Sequence, residues 1–352
     1  MTVATTGATI TGTFAASSVS AAARVTAPRF EQSDDALGIG TSTPRLSWRV
    51  VAEPGWTQAA WEAECSRGGE VQVVTGAGDD QILLAWPFAP LASRERAEVR
   101  VRVLGPAAEW SSWGEPATVE AGLLDPSDWR AQPIGGAWQE APGTERRPSR
   151  VRRAFRIEAP IVRARLYVTA HGLYEAEING RRVGDHELSP GWTSYDRRLV
   201  YWTFDVTEHL AAGDNVVGAW LGDGWYRGRL GFNGGYRDLY GTDLSLIAQL
   251  EIEHADGTST VIATDDTWQA APSPILRSGL YDGEKHDARE EIAGWSTPGA
   301  DEGGWTSATM GHRDPATLVA PELPPVRCTE ELVPVAMTRL DDGRILLDFG
   351  QN

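Results

Sequence analysis

The chain has 352 residues, a formal charge of −17 and a hydrophobic fraction of 41%. That apolar content supplies several cores and excludes wholesale disorder. The excess of carboxylates argues against nucleic-acid or anionic-membrane partners, which such a chain would repel. Lys285 is the only lysine, and 15 Trp outnumber 7 Phe and 8 Tyr beside 38 Gly and 21 Pro, a composition of short strands and tight turns.

Residues 1–23 are rich in Thr, Ala and Ser and carry no charge before Arg24. They have neither the positive start nor the continuous apolar stretch of a secretory signal, so they read as a flexible tail. No run of 18 apolar residues occurs, which predicts no membrane span and a cytoplasmic location. Residues 24–125 alternate at period two, most cleanly where Val99, Val101 and Val103 are interleaved with Arg100 and Arg102. They predict a fibronectin-III- or immunoglobulin-like β-sandwich. A boundary falls near Asp125-Pro126-Ser127-Asp128-Trp129.

From 128 to 300 the alternation is stronger. Ala164, Leu166, Val168 and Ala170 mark one strand, and Leu244, Leu246, Ala248, Leu250 and Ile252 mark another. Asn179-Gly180 predicts a type I′ hairpin turn, which needs positive φ at both central residues. Val206 to Leu210 predicts a single helical turn. The natural architecture is a jelly-roll-like β-sandwich. Residues 301–352 read as a linker, Pro-rich from Ala320 to Pro325, and then the truncated start of a further β-sandwich, with an Asp342-Gly343 turn before a strand from Ile345 to Asn352. The expected fold class is therefore all-β throughout, and the chain reads as a fragment. Cys65 and Cys328 read as two buried thiols, and the six histidines show no zinc spacing.

Several segments of the second region carry a family pattern. They are Asn179-Gly180-Arg181-Arg182-Val183-Gly184-Asp185, Pro190-Gly191-Trp192-Thr193-Ser194-Tyr195-Asp196, and Thr203-Phe204-Asp205-Val206-Thr207. Gly213-Asp214-Asn215, Leu221-Gly222-Asp223-Gly224-Trp225-Tyr226 and Gly283-Glu284-Lys285-His286-Asp287-Ala288-Arg289 follow. In this order they resemble the N-terminal sugar-recognition domain of bacterial α-L-rhamnosidases, glycoside hydrolase family 78. Leu37-Gly38 ahead of Pro44-Arg45-Leu46-Ser47-Trp48 resembles the fibronectin-like module that precedes that domain. Asp348-Phe349-Gly350-Gln351-Asn352 resembles the opening of the β-sandwich that follows it.

The resemblance covers about residues 24–352 and implies the non-catalytic front of such an enzyme. The helical (α/α)-barrel catalytic domain of the family has no counterpart here. Inverting hydrolysis needs two carboxyl groups set well apart across the sugar, and the sequence shows no such pair, so no catalytic residue is assigned. The implied partners are rhamnose-containing glycans or glycosides and the catalytic domain of the same polypeptide. A stand-alone carbohydrate-binding protein and a purely structural sandwich stay open as alternatives.

A sugar site needs an aromatic platform and planar polar side chains. Asp223, Trp225, Tyr226, Arg227, Asn233 and Tyr240 supply both kinds within one Gly-rich loop, and Trp192, Tyr195 and Asp196 form a second cluster. Docking of this loop against the catalytic domain would use the same residues. Glu284, Asp287 and Arg289 are candidates for interdomain or loop-structuring contacts. Related rhamnose-binding modules hold the sugar through calcium on an Asp-Asn pair. That position falls here on His171-Gly172, and Asp265-Asp266 reads as a turn before Trp268. No metal and no cofactor are expected.

Overall fold

The computed structural model describes residues 23–33, 35–136, 146–301 and 303–351, so the expected tail lies outside it apart from residue 23. The chain is nearly all β and divides into two compact units. One gathers the described residues up to Arg29 with 45–88 and 97–118; the other gathers 30–44, 89–96 and the chain from 119 onward.

In the first unit the strand Ala60–Arg67 pairs antiparallel with Glu70–Ala77 on one side and with the Arg96–Leu104 strand on the other. Val99, Val101 and Val103 are fully buried, as their alternation predicts. The arginines between them are not merely solvated. Arg100 and Arg102 lie opposite Glu64 and Glu62 and form ion pairs of 2.8 and 2.6 Å. Their guanidinium groups lie 5.0 and 4.7 Å from the Trp113 ring, so the outer face is a ladder of carboxylate, guanidinium and indole. Cys65 is buried on the core face, whereas Cys328 is exposed, contrary to the expectation for two buried thiols. Its segment from Val326 to Val335 is solvent-facing, so no core forms around the thiol.

The second unit is a sandwich of two six-stranded sheets. One is built on Ile161–His171 and Ser245–His254, paired antiparallel over ten positions. The other is built on Gly213–Gly222, flanked by Ser149–Ile157 and Leu173–Ile178. The core between them takes Ala164, Leu166, Val168 and Ala170 from the first sheet and Val217, Ala219 and Leu221 from the second. Asn179 and Gly180 have φ of 52° and 77°, and Glu177 pairs with Arg182 across the turn, which is the expected type I′ hairpin. A single 3-10 turn spans Thr207–His209.

Period-two alternation predicts one buried face for the strand Ile161–His171. Both faces are buried from Ala164 to Ala170. Segments distant in sequence cover the outer face: Tyr167 and Ile247 pack there against Trp129, Tyr195, Leu199 and Tyr201.

On the outer face of the other sheet, Arg150 and Trp220 are cross-strand partners. The Arg150 side chain is 1% exposed, with its guanidinium 5.1, 5.5 and 5.7 Å from the rings of Trp220, Trp295 and Trp305. Its Nε and Nη1 have no hydrogen-bond partner among the described residues, and burial lowers its pKa.

Candidate functional site

The second core carries a layered stack of aromatic rings. Nearest the sheet, Trp129 meets Tyr201 edge-on at 5.1 Å. Further out, Tyr195 meets Tyr226 at 5.2 Å and Tyr240 at 5.1 Å. Trp192 and Trp225 then stack almost parallel, 9° between planes and 6.0 Å between centroids. Trp192 Nε1 donates to the Tyr240 hydroxyl at 3.2 Å, which fixes the indole although it is 58% exposed. Both indoles border an open cleft of about 360 Å³.

Local sequence sets this geometry. A single helical turn, Gly224–Arg227, carries Trp225 and Tyr226 out of the strand Gly213–Gly222. Gly224 has φ +52°, and a Cβ there would lie 2.6 Å from Leu173 Cγ, so the turn requires glycine. The opposite wall is the passage 319–326, expected to be a linker. It is tied at both ends: Leu318–Val319 pairs parallel with Leu199–Val200, and Val326–Arg327 pairs antiparallel with His186–Glu187. Its prolines lack N–H groups and so continue no sheet; the residues between the two pairings stay irregular and line the cleft.

The structure thus brings together Trp192, Tyr195, Trp225, Tyr226 and Tyr240 from the two predicted clusters. The charged candidates go elsewhere. Asp223 and Arg227 are buried and paired with each other at 2.7 Å. Burial raises the Asp223 pKa and the neighbouring Arg227 works against that rise. Their i,i+4 spacing was the sequence signal for that pairing. Asp196 is exposed and 3.6 Å from Arg197. Asn233 sits exposed in a turn at φ 53°. Asp287 caps a 3-10 turn, accepting from the Arg289 backbone N–H at 3.1 Å and from its Nε at 2.8 Å. Glu284 is exposed. Sequence reasoning missed Arg198, Trp202 and the 319–326 wall; the strand pairs that tie the wall down join residues more than a hundred positions apart.

His171, the position discussed for calcium, is spoken for. Its Nδ1 lies 2.7 Å from Ser245 Oγ, and its Nε2 accepts from Arg313 Nη1 at 2.8 Å. The ring is therefore neutral, with the remaining proton on Nδ1. Burial, aided by the Arg313 charge, pushes its pKa down to about 4. It stacks on Tyr226 at 5.1 Å, so it braces the aromatic layer. Among the described residues no group of three or more His, Cys, Asp and Glu side chains is placed to hold a metal ion. No helix among them is long and apolar enough to cross a membrane.

Two family models match the chain. Residues 159–330 match the alpha-L-rhamnosidase N-terminal domain, and residues 25–125 match the Rha78A-like N-terminal immunoglobulin domain. An alpha-L-rhamnosidase of Streptomyces avermitilis is 41% identical over 247 residues, which is 68% of this chain and 23% of that protein. One from Alteromonas sp. (strain LOR) is 33% identical over 338 residues, 90% of this chain and 36% of the relative. The chain therefore spans well under half the length of these relatives. The crystal structure of the native alfa-L-rhamnosidase from Aspergillus terreus superposes on 94% of this chain and 39% of its own, with TM-score 0.90 and 40% identity. The Streptomyces avermitilis enzyme complexed with L-rhamnose superposes on 94% of this chain and 49% of its own, with TM-score 0.87 and 26% identity.

Proposed function

The chain belongs to the N-terminal region of the α-L-rhamnosidases of glycoside hydrolase family 78, and from that premise we propose that it helps recognise rhamnose-containing glycosides and supports a catalytic domain of the same polypeptide. Hydrolysis of terminal α-L-rhamnosides belongs, in this reading, to that domain. Inversion requires a proton-donating carboxyl group and a separate carboxylate to activate water. Several carboxylates of the second unit are engaged otherwise: Asp223 by Arg227, Asp282 by Arg229 and Arg237 at 2.7 and 2.6 Å, and Asp287 by Arg289.

The observation that carries the reading is the open cleft beside the stacked Trp192 and Trp225 rings. Indole faces are suited to the C–H faces of a glycoside, and both report on their surroundings by fluorescence. Titration with rhamnosides is expected to change the tryptophan emission of the chain, and Trp192→Ala is expected to remove most of that change. A chain whose emission and heat of mixing are unmoved by every rhamnoside tested would contradict the reading. The chain by itself is expected to release no aglycone above the buffer rate.

A further inference from the structure

We infer that the cleft beside Trp192 and Trp225 takes the aryl aglycone of a rhamnoside, not the rhamnose ring; this rests on the cleft being the recognition site proposed above. The reason lies in the hydrogen-bonding inventory of its walls. Three successive carbonyls, those of Ser189, Pro190 and Gly191, already accept from Tyr174 N–H at 2.9 Å, Trp202 Nε1 at 3.2 Å and the Tyr195 hydroxyl at 3.2 Å. The Trp192 N–H is given to Tyr240, and the Thr193 hydroxyl donates to the Arg198 carbonyl at 2.9 Å. Glu187 accepts from Arg182 at 3.0 Å. Pro190, Pro321, Pro324 and Pro325 also line the cleft and have no N–H to offer.

A sugar ring bears hydroxyls on most of its carbons, and each one buried without a partner costs about 1–3 kcal/mol. An aromatic ring has no such requirement and gains from contact with indole and proline faces. The cleft volume, about 360 Å³, suits a small planar molecule. Among its charged side chains, Arg198 and Glu322 both border the cleft and are exposed. A guanidinium and a carboxylate there complement a phenolic hydroxyl, which is more acidic than a sugar hydroxyl and can accept from Arg198 or donate to Glu322. In this arrangement the sugar projects from the mouth of the cleft, linked to the aglycone inside.

The test is saturation-transfer NMR on the whole chain with phenyl α-L-rhamnoside, methyl α-L-rhamnoside and phenyl β-D-glucoside, supported by calorimetric titration. The aryl protons are expected to receive more saturation than the sugar protons. The two phenyl glycosides should bind within a few-fold of each other, and both about 10-fold tighter than the methyl rhamnoside. Trp192→Ala should abolish the difference, and Trp192→Phe, which keeps an aromatic face, should retain most of it. Arg198→Ala should remove any preference for 4-hydroxyphenyl over phenyl rhamnoside. Equal binding of methyl and phenyl rhamnosides with no binding of the phenyl glucoside would overturn the aglycone assignment and leave rhamnoside recognition standing. Phenyl glycoside binding that survives Trp192→Ala would overturn the placement. Saturation of none of the three would overturn both.

Discussion

Trp220, Trp295 and Trp305 enclose a guanidinium, whereas Trp192 and Trp225 stack on each other and border open space. Both groups lie in the same unit, each on the outer face of one of its two sheets. The difference comes from what the neighbouring backbone supplies. Beside Trp220, the paired strand offers Arg150, whose stem and planar head fill the gap between the rings. Beside Trp225, the facing segment is Pro-rich and held by strand pairs at its two ends, so it forms a wall and fills nothing. An indole cluster becomes core or stays open according to whether a third element closes it. The number of tryptophans does not decide between the two.

Arg150→Ala would leave a cavity among three indoles and is expected to lower the unfolding free energy by about 3 kcal/mol. Arg150→Met, which refills the volume and removes a buried charge with unpartnered nitrogens, is expected to cost less, about 1 kcal/mol. Urea unfolding measures both, and neither variant should alter ligand affinity in the distant cleft.

Acid is the next lever. His171 and His186 both have pKa values pushed down to about 4, chiefly by burial, with Arg313 and Arg327 respectively adding to the effect. A free histidine titrates near 6.5. Between those values the unfolded chain binds protons that the folded chain refuses. The stabilisation is therefore complete above about pH 6.5 and is lost as the pH falls toward about 4. Melting temperatures recorded from pH 7 to pH 4.5 are expected to fall, with a shallower fall in His171→Gln. The aromatic layer braced by His171 should hold while the ring stays neutral, so ligand binding by the folded chain is expected to weaken only as the pH approaches about 4.

Trp192→Ala removes one ring of the open pair. Because the indole is largely exposed, its loss should cost less than about 1 kcal/mol of stability, yet remove most of the binding. Asp196→Ala is expected to change neither stability nor binding measurably, and Asn233→Ala to leave binding unchanged, since both side chains are exposed and outside the cleft lining.

Much of this architecture was legible in the sequence because its causes are local. The Asn179-Gly180 turn, the valine alternation at 99–103 and the strand at 164–170 follow from backbone preference and side-chain period. The family pattern located the aromatic residues that meet at the cleft. The remainder depended on contacts between distant segments. Tyr167 and Ile247 alternate as if solvent-facing, and a second core made of residues from 123 to 320 buries them. Asp223 and Arg227 look like sugar-binding groups in a Gly-rich loop, but their i,i+4 pairing removes both from solvent. The passage 320–325 has the composition of a linker, and only the strand pairs at its ends make it a wall.

The most direct measurement is a calorimetric titration of phenyl α-L-rhamnoside into the chain and into its Trp192→Ala variant, with Arg150→Met as the control at the closed cluster. Binding that falls about 10-fold or more in Trp192→Ala and is retained in Arg150→Met is the predicted result. Equal affinity for the wild-type chain and Trp192→Ala would contradict the assignment of the open cleft as the recognition site.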